Sequence, residues 1–443
     1  MVVLIKILQL LLSLSILVII HEFGHFAAAK IFKTKVEKFY LFFNPWFSIF
    51  KFNYKGTEYG LGWIPLGGYV KIAGMIDESM DKEQMKKPPQ PWEFRSKPAW
   101  QRLIIMLGGV TMNVVLAIII YVGLLAHYGE EYLPTQEVNK YGIVADSLAR
   151  EMGFRNGDKI LTIGGKKVTD FQKIPMEIVL NEAQTATVLR DGKKVVIHFP
   201  EGSLRQLIKQ KSPYFLAPRI PFVAGNFTKN SAAKKAGLEV GDTLLGINGK
   251  YLKYFDAFRQ EVQKHKNQTI LLIAKRGNDT LRLKVHLGSD GLLGVYPKSN
   301  LNDFFHLNQK KYNLIQAIPA GFERTWAGIG NYLKQLKLIF SPKVKAYENV
   351  GGFITIGNIF PAQWHWESFW RLTAFLSIML AILNVLPIPA LDGGHVLFLL
   401  YEIIARRKPS DKFLEYAQIV GMVILFTLLI LANGNDIIKL FKH

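Results

Sequence analysis

Four stretches of this 443-residue chain, at about 4–29, 103–127, 370–404 and 416–432, are apolar over lengths that match the ~30 Å hydrocarbon core of a bilayer. A backbone inside lipid must satisfy its own N–H and C=O groups, so such stretches cross as helices. The 49% apolar content agrees, and the length leaves room for further modules. Lys6, the apolar run after it and Ala27-Ala28-Ala29 have the outline of a secretory signal. The run is nevertheless longer than a signal's ~7–15 apolar residues, and it carries ionisable side chains.

Those side chains are His21, Glu22 and His25, in the run His-Glu-Phe-Gly-His. On a helix, residues i and i+4 lie one above the other, so His21 and His25 face one metal ion. Glu22 is placed as the general base that takes a proton from the attacking water. A five-residue string of this kind also arises by chance on exposed helices. Inside a span, ionisable groups without partners are costly, which favours a functional reading. The chain has no cysteine, which excludes disulfides and thiolate zinc sites and leaves His, Asp and Glu as metal-binding residues.

The net charge of +21 raises the question of nucleic acid, but the Lys and Arg are spread over loops and no nucleic-acid motif is present. No nucleic-acid partner is expected; anionic headgroups and topology control account for the charge. Residues 30–102 hold 13 Lys/Arg against 7 Asp/Glu, and Arg406, Arg407, Lys408 and Lys412 lie between the third and fourth apolar stretches. Both connections are expected to be cytoplasmic, with the termini and residues 128–369 across the membrane. The third stretch is broken at Asn384, Pro387, Pro389 and Asp392-Gly393-Gly394, a feature tolerated at membrane depth where the backbone lines a site.

The long segment repeats itself. Gly153, Gly157, Asp158, Ile163 and Gly165 recur at an offset of 84 as Gly237, Gly241, Asp242, Ile247 and Gly249. Each copy reads as a short helix, a Gly turn, a strand and a tight hairpin turn, the arrangement of PDZ-like domains, which bind extended peptides by strand addition or serve as spacers. Residues 60–72, with Gly60, Gly62, Gly67 and Gly68, read as a β-hairpin whose open edge holds a substrate extended; an ordinary cytoplasmic hairpin fits equally. Residues 312–340 read as an amphipathic helix on the outer membrane surface or on the PDZ-like pair. The expected organisation is 1–127, two spans with the hairpin; 128–220 and 221–300, tandem PDZ-like α+β domains; 301–369, the amphipathic linker; and 370–443, the last two spans.

The His-Glu-x-x-His run, together with Asn384-Val-Leu-Pro-Ile-Pro-Ala-Leu-Asp-Gly-Gly at 384–394, resembles the site-2 protease family of intramembrane zinc metalloproteases over nearly the whole chain. The resemblance implies one zinc held by His21, His25 and Asp392, with Glu22 as base, Asn384 holding the substrate backbone, Asn113 at the position of a core asparagine and a membrane-associated β-loop at 60–72. It further implies a bacterial inner membrane with the PDZ-like domains periplasmic and the active site toward the cytoplasm. Single-span substrates such as a trimmed anti-sigma factor, and signal-peptide remnants, would be cut there. Three protein ligands with an open fourth position suit catalytic zinc. On its own, Asp392 reads as a helix N-cap. A catalytically idle PDZ scaffold and a transporter are the competing readings; the intact motif opposes the first and the lack of an inverted repeat the second.

Overall fold

The computed structural model describes residues 1–75, 88–210, 212, 214–339, 341 and 351–441. Parts of the expected loop at 30–102, of the first PDZ-like domain near 211–213 and of the 301–369 linker lie outside the described residues. The chain divides into two units, Met1–Gly129 with Lys311–Lys337 and Tyr347–His443, and Glu130–Lys310 with Leu338–Ala346.

The first unit begins with helix α1 (Val2–Ile31), followed by strands β1 (Val36–Phe43), β2 (Phe50–Tyr54), β3 (Thr57–Leu61) and β4 (Ile64–Ile72), and helix α2 (Ala99–Tyr128). Helices α3 (Leu314–Ile339), α4 (Phe353–Ile359), α5 (Trp366–Val385), α6 (Asp392–Ala405) and α7 (Asp411–Phe441) complete it. Four of these, α1, α2, α5 and α7, are long and apolar enough to cross a membrane.

Helix α1 is apolar all round, and its polar residues decide its orientation. The buried stripe is Gln9, Ser13, Leu17, His21, Gly24, His25 and Ala28, while Leu4, Ile7, Leu8, Leu12, Ile19 and Phe23 are exposed. This inversion follows from lipid being as apolar as leucine, so that helix contacts select small and hydrogen-bonding residues. Thr373 Oγ1 of α5 donates to Ser13 Oγ at 3.0 Å, and Ser377 Oγ donates to the Asn113 carbonyl of α2 at 2.7 Å. Gly24 and Gly108 bring α1 and α2 together: a Cβ on Gly24 would fall 2.2 Å from the Gly108 carbonyl oxygen.

The four strands form one sheet in the order β2-β3-β1-β4. Residues 60–72 are therefore not a hairpin. β3 runs parallel to β1 and β4 antiparallel to it, on opposite sides, with Leu41 paired to Leu61 and to Gly68. Gly62 N–H donates to the Leu41 carbonyl and Trp63 N–H to the Phe43 carbonyl, so the link between β3 and β4 crosses the end of β1. The turn residues mark where the chain changes direction, but the partner is the distant apolar strand β1. That leaves β4 at the sheet's edge beside α1, where Gly68 packs on Val18.

Helix α3 packs along the spans: Gly321 lies against Val122 of α2, and the Tyr332 ring is 6.1 Å from Phe375 of α5. Its apolar face is thus partly covered by helices of its own unit.

In the second unit two modules share one element order. Ile143–Ala145, a helix at Ser147–Glu151, Lys159–Ile163, a helix at Ile174–Leu180, the hairpin Thr185–Arg190/Lys193–His198 and Leu216–Pro218 make the first. Ala224–Phe227, Ala232–Lys235, Thr243–Ile247, Phe255–Val262, the hairpin Thr269–Arg276/Asp279–His286 and Val295–Pro297 make the second. In both, the last strand pairs back onto the first. The recurring aspartates clasp an arginine in each module. Asp158 accepts from Nε and Nη2 of Arg190 at 2.8 Å each, and Asp242 accepts from those of Arg276 at 2.8 Å. Each arginine also donates to a turn carbonyl, that of Gly153 or Gly237.

Candidate metal centre and catalytic site

His21 and His25 lie one turn apart on the buried stripe of α1, and the chain break after α5 delivers Asp392 to them as the first residue of α6. Pro387 and Pro389 cannot continue the helix, and Ala390 takes a left-handed φ of 81°. The chain then folds back so tightly that a Cβ on Gly393 would fall 2.2 Å from the Leu386 carbonyl oxygen. Asp392 does not cap α6. The cap position belongs to Leu391, and no side chain closes the turn.

The carboxylate instead meets the imidazoles. Asp392 Oδ2 is 3.2 Å from His21 Nε2 and 3.3 Å from His25 Nε2, and the two nitrogens are 3.3 Å apart. Oδ2 is buried yet makes no hydrogen bond. Tetrahedral zinc with bonds of about 2.0–2.1 Å has ligand atoms about 3.3–3.4 Å apart, so this triangle has the dimensions of one face of a zinc site. Among the described residues this is the one His/Asp/Glu cluster of metal-holding geometry.

Helix α2 orients both rings. His25 Nδ1 lies 2.8 Å from the Ile105 carbonyl, to which its N–H donates, leaving the Nε2 lone pair directed at Asp392. His21 Nδ1 is 3.1 Å from Asn113 Nδ2, and Asn113 is fully buried with its Oδ1 unpaired. A half-turn of that amide lets Oδ1 accept the His21 Nδ1–H, which satisfies the oxygen and fixes the metal-binding tautomer. Gly109 supplies the space: a Cβ there would lie 2.4 Å from His25 Nε2 and 2.6 Å from His21 Cε1.

A cavity of about 460 Å³ opens on this cluster. Glu22, Asn384 and the edge strand at Gly68–Ile72 line it, together with His395 and Gln418. Asn384 Nδ2 lies 3.2 Å from His21 Nε2, at the rim of the triangle.

The chain matches the model of peptidase family M50 over residues 9–428. It belongs to that family. The regulator of sigma-E protease RseP of Escherichia coli is 29% identical over 97% of this chain and 98% of its own length. The regulator of sigma E protease of Haemophilus influenzae is 28% identical with the same coverage. A relative from Vibrio cholerae, named as a candidate zinc metalloprotease, is 29% identical over 97% of the chain. This M50 member is a zinc metalloprotease, and its four apolar helices place it in a membrane.

Of the residues singled out in the sequence, His21, Glu22, His25, Asp392, Asn384 and Gly68 meet in this one cavity. Gly60, Gly62 and Gly67 do not line it. Gly60 sits in the interior strand β3 beneath the Tyr40 ring, Gly62 lies against the Phe42 and Phe43 carbonyls, and Gly67 packs on the Phe43 ring. These three glycines serve sheet packing, because a side chain at each would strike β1 or its continuation. Sequence reasoning missed the parts played by Gly109 and the Ile105 carbonyl, which announce nothing in a one-letter string. It also passed over Gln418, a polar residue in an apolar span whose position was itself a signal.

Proposed function

We propose that the chain is an endopeptidase that cuts single-span membrane proteins within or near the bilayer. The carrying observation is the zinc-sized triangle of His21, His25 and Asp392 built on helices long enough to cross a membrane, with Glu22 in the same cavity. Zinc, when bound, supplies the Lewis acidity that makes water nucleophilic near neutral pH. Glu22 accepts the proton of the attacking water and returns it to the leaving amine. Ile105 and Asn113 hold the imidazoles in register for the metal. A helical substrate hides its carbonyls in its own hydrogen bonds, so it must be drawn out. The outer edge of β4, which pairs on one side with β1, adds the substrate as a further strand, and Asn384 holds its backbone beside His21.

The names of the sigma-E regulators among the relatives support an anti-sigma factor as the substrate class, and the charge of the short loops supports a cytoplasmic placement of the site. The tandem modules are read as PDZ-like on their shared element order and back-pairing first strand, and as periplasmic on topology. Co-expression with candidate single-span proteins tests the reading. Wild type cuts a substrate, and Glu22→Gln retains zinc but does not; wild-type cleavage by Glu22→Gln refutes the mechanism.

A further inference from the structure

Helix α7 reaches the zinc cavity through one polar side chain. Gln418 is 4% exposed on a largely apolar span, and it lines the cavity that holds His21, Glu22, Asn384 and Asp392. Among the described residues its amide makes no hydrogen bond, and its nitrogen and oxygen are not sealed off from the cavity it lines. Buried amides on membrane helices normally bond across to a neighbouring helix, because one left unpaired in hydrocarbon is costly. Gln418 makes no such bond, so helix packing does not account for it.

Its position is fixed all the same. Gly421, one turn further on, presses against the loop that carries Asp392, so closely that a Cβ there would fall 1.7 Å from the Pro389 carbonyl oxygen. Gln418 also lines an adjoining cavity of about 310 Å³, which shares Met75 and His395 with the zinc cavity and continues between Phe94, Phe398 and Leu414. A chain running from the zinc site into that second cavity passes the Gln418 amide.

We propose that Gln418 is a substrate-binding residue, its side-chain amide hydrogen-bonding the backbone of the extended polypeptide as that chain passes between the two cavities. A primary amide offers two donors and an acceptor, which matches the exposed N–H and C=O of an unwound peptide and is indifferent to side-chain identity. The inference rests on the endopeptidase reading.

The test is Gln418→Met in the full-length protein, which keeps length and volume and removes both donors and the acceptor. Wild type, Glu22→Gln and Gln418→Met are assayed in detergent on a purified fusion with one apolar span and a small outer tag, with zinc content and Tm measured alongside. The expected result is a fall of about tenfold in kcat/KM, carried mainly by KM, with zinc and Tm unchanged. A merely structural residue would lower Tm and zinc together. That result, or wild-type kinetics, overturns the proposal. If wild type itself does not cut, or Glu22→Gln cuts equally well, the endopeptidase reading has failed instead.

Discussion

Gly109→Ala adds one methyl group to α2 and should disable the metal centre without touching a ligand. The new Cβ would stand 2.4 Å from His25 Nε2 and 2.6 Å and 2.8 Å from His21 Cε1 and Nδ1, where ordinary contact begins at 3.4 Å. The rings must retreat by about 1 Å, whereas metal–ligand distances hold to about ±0.2 Å. Retreat of α2 as a whole would open the close backbone contact between Gly24 and Gly108. The displacement also pulls His25 from the Ile105 carbonyl and His21 from Asn113, and loss of one such supporting bond weakens metal binding about 10–100-fold. With both affected, zinc affinity should fall at least about 100-fold, which is about 2.7 kcal/mol. Competition against a chelator of known affinity in detergent, with circular dichroism to confirm the helices, measures this. Gly123→Ala is the control: it lies in the same helix with nothing within 4 Å of its Cβ, so zinc binding should be unchanged. If Gly109→Ala binds zinc within threefold of wild type and cleaves normally, the imidazoles are not held where the packing argument requires.

Asn384→Ala should lower turnover on a single-span substrate at least tenfold while zinc stoichiometry stays at one, as measured by metal analysis and cleavage rate together. Asp158→Ala strands Arg190 in the first module, whose carboxylate partner is 1% exposed, and should cost about 3–5 kcal/mol in the urea unfolding of the second unit. In the second module the Arg276 guanidinium holds the Asp242 carboxyl below its usual range. Its folded pKa lies below the unfolded one, so this stabilisation is present above about pH 4 and lost as pH falls through the carboxylate range; Asp242→Asn should flatten that part of the urea-midpoint profile. Replacing Glu130–Lys310 by a short linker, in a folded and zinc-loaded variant, should permit cleavage of substrates with bulky outer domains if the tandem modules act as a size filter. Reduced cleavage of trimmed substrates, with none of bulky ones, would mark the modules as a capture device.

The sequence by itself determined everything that depends on composition and local period. Runs of apolar residues longer than a bilayer is thick have one stable conformation in lipid, so the four crossing helices were legible. The i, i+4 spacing of His21 and His25 put both rings on one helix face whatever that helix packed against. The offset of 84 showed two copies of one module, and the shared Asp–Arg clasp is the structural form of that repeat. The break at Asn384–Asp392 was visible in its prolines.

Tertiary structure decided what pairs with what. Residues 60–72 carried turn and strand signals, but β1 lies between the two strands, and a partner twenty or more residues away leaves no mark on a local pattern. The same limit applies at the metal centre. Asp392 is 371 residues from His21 in the sequence, and only helix packing brings its carboxylate to 3.2 Å. The closeness of that packing depends on Gly24, Gly108 and Gly109, whose contribution is an absence of atoms. A residue that acts by leaving room can be recognised only when its neighbours are in place.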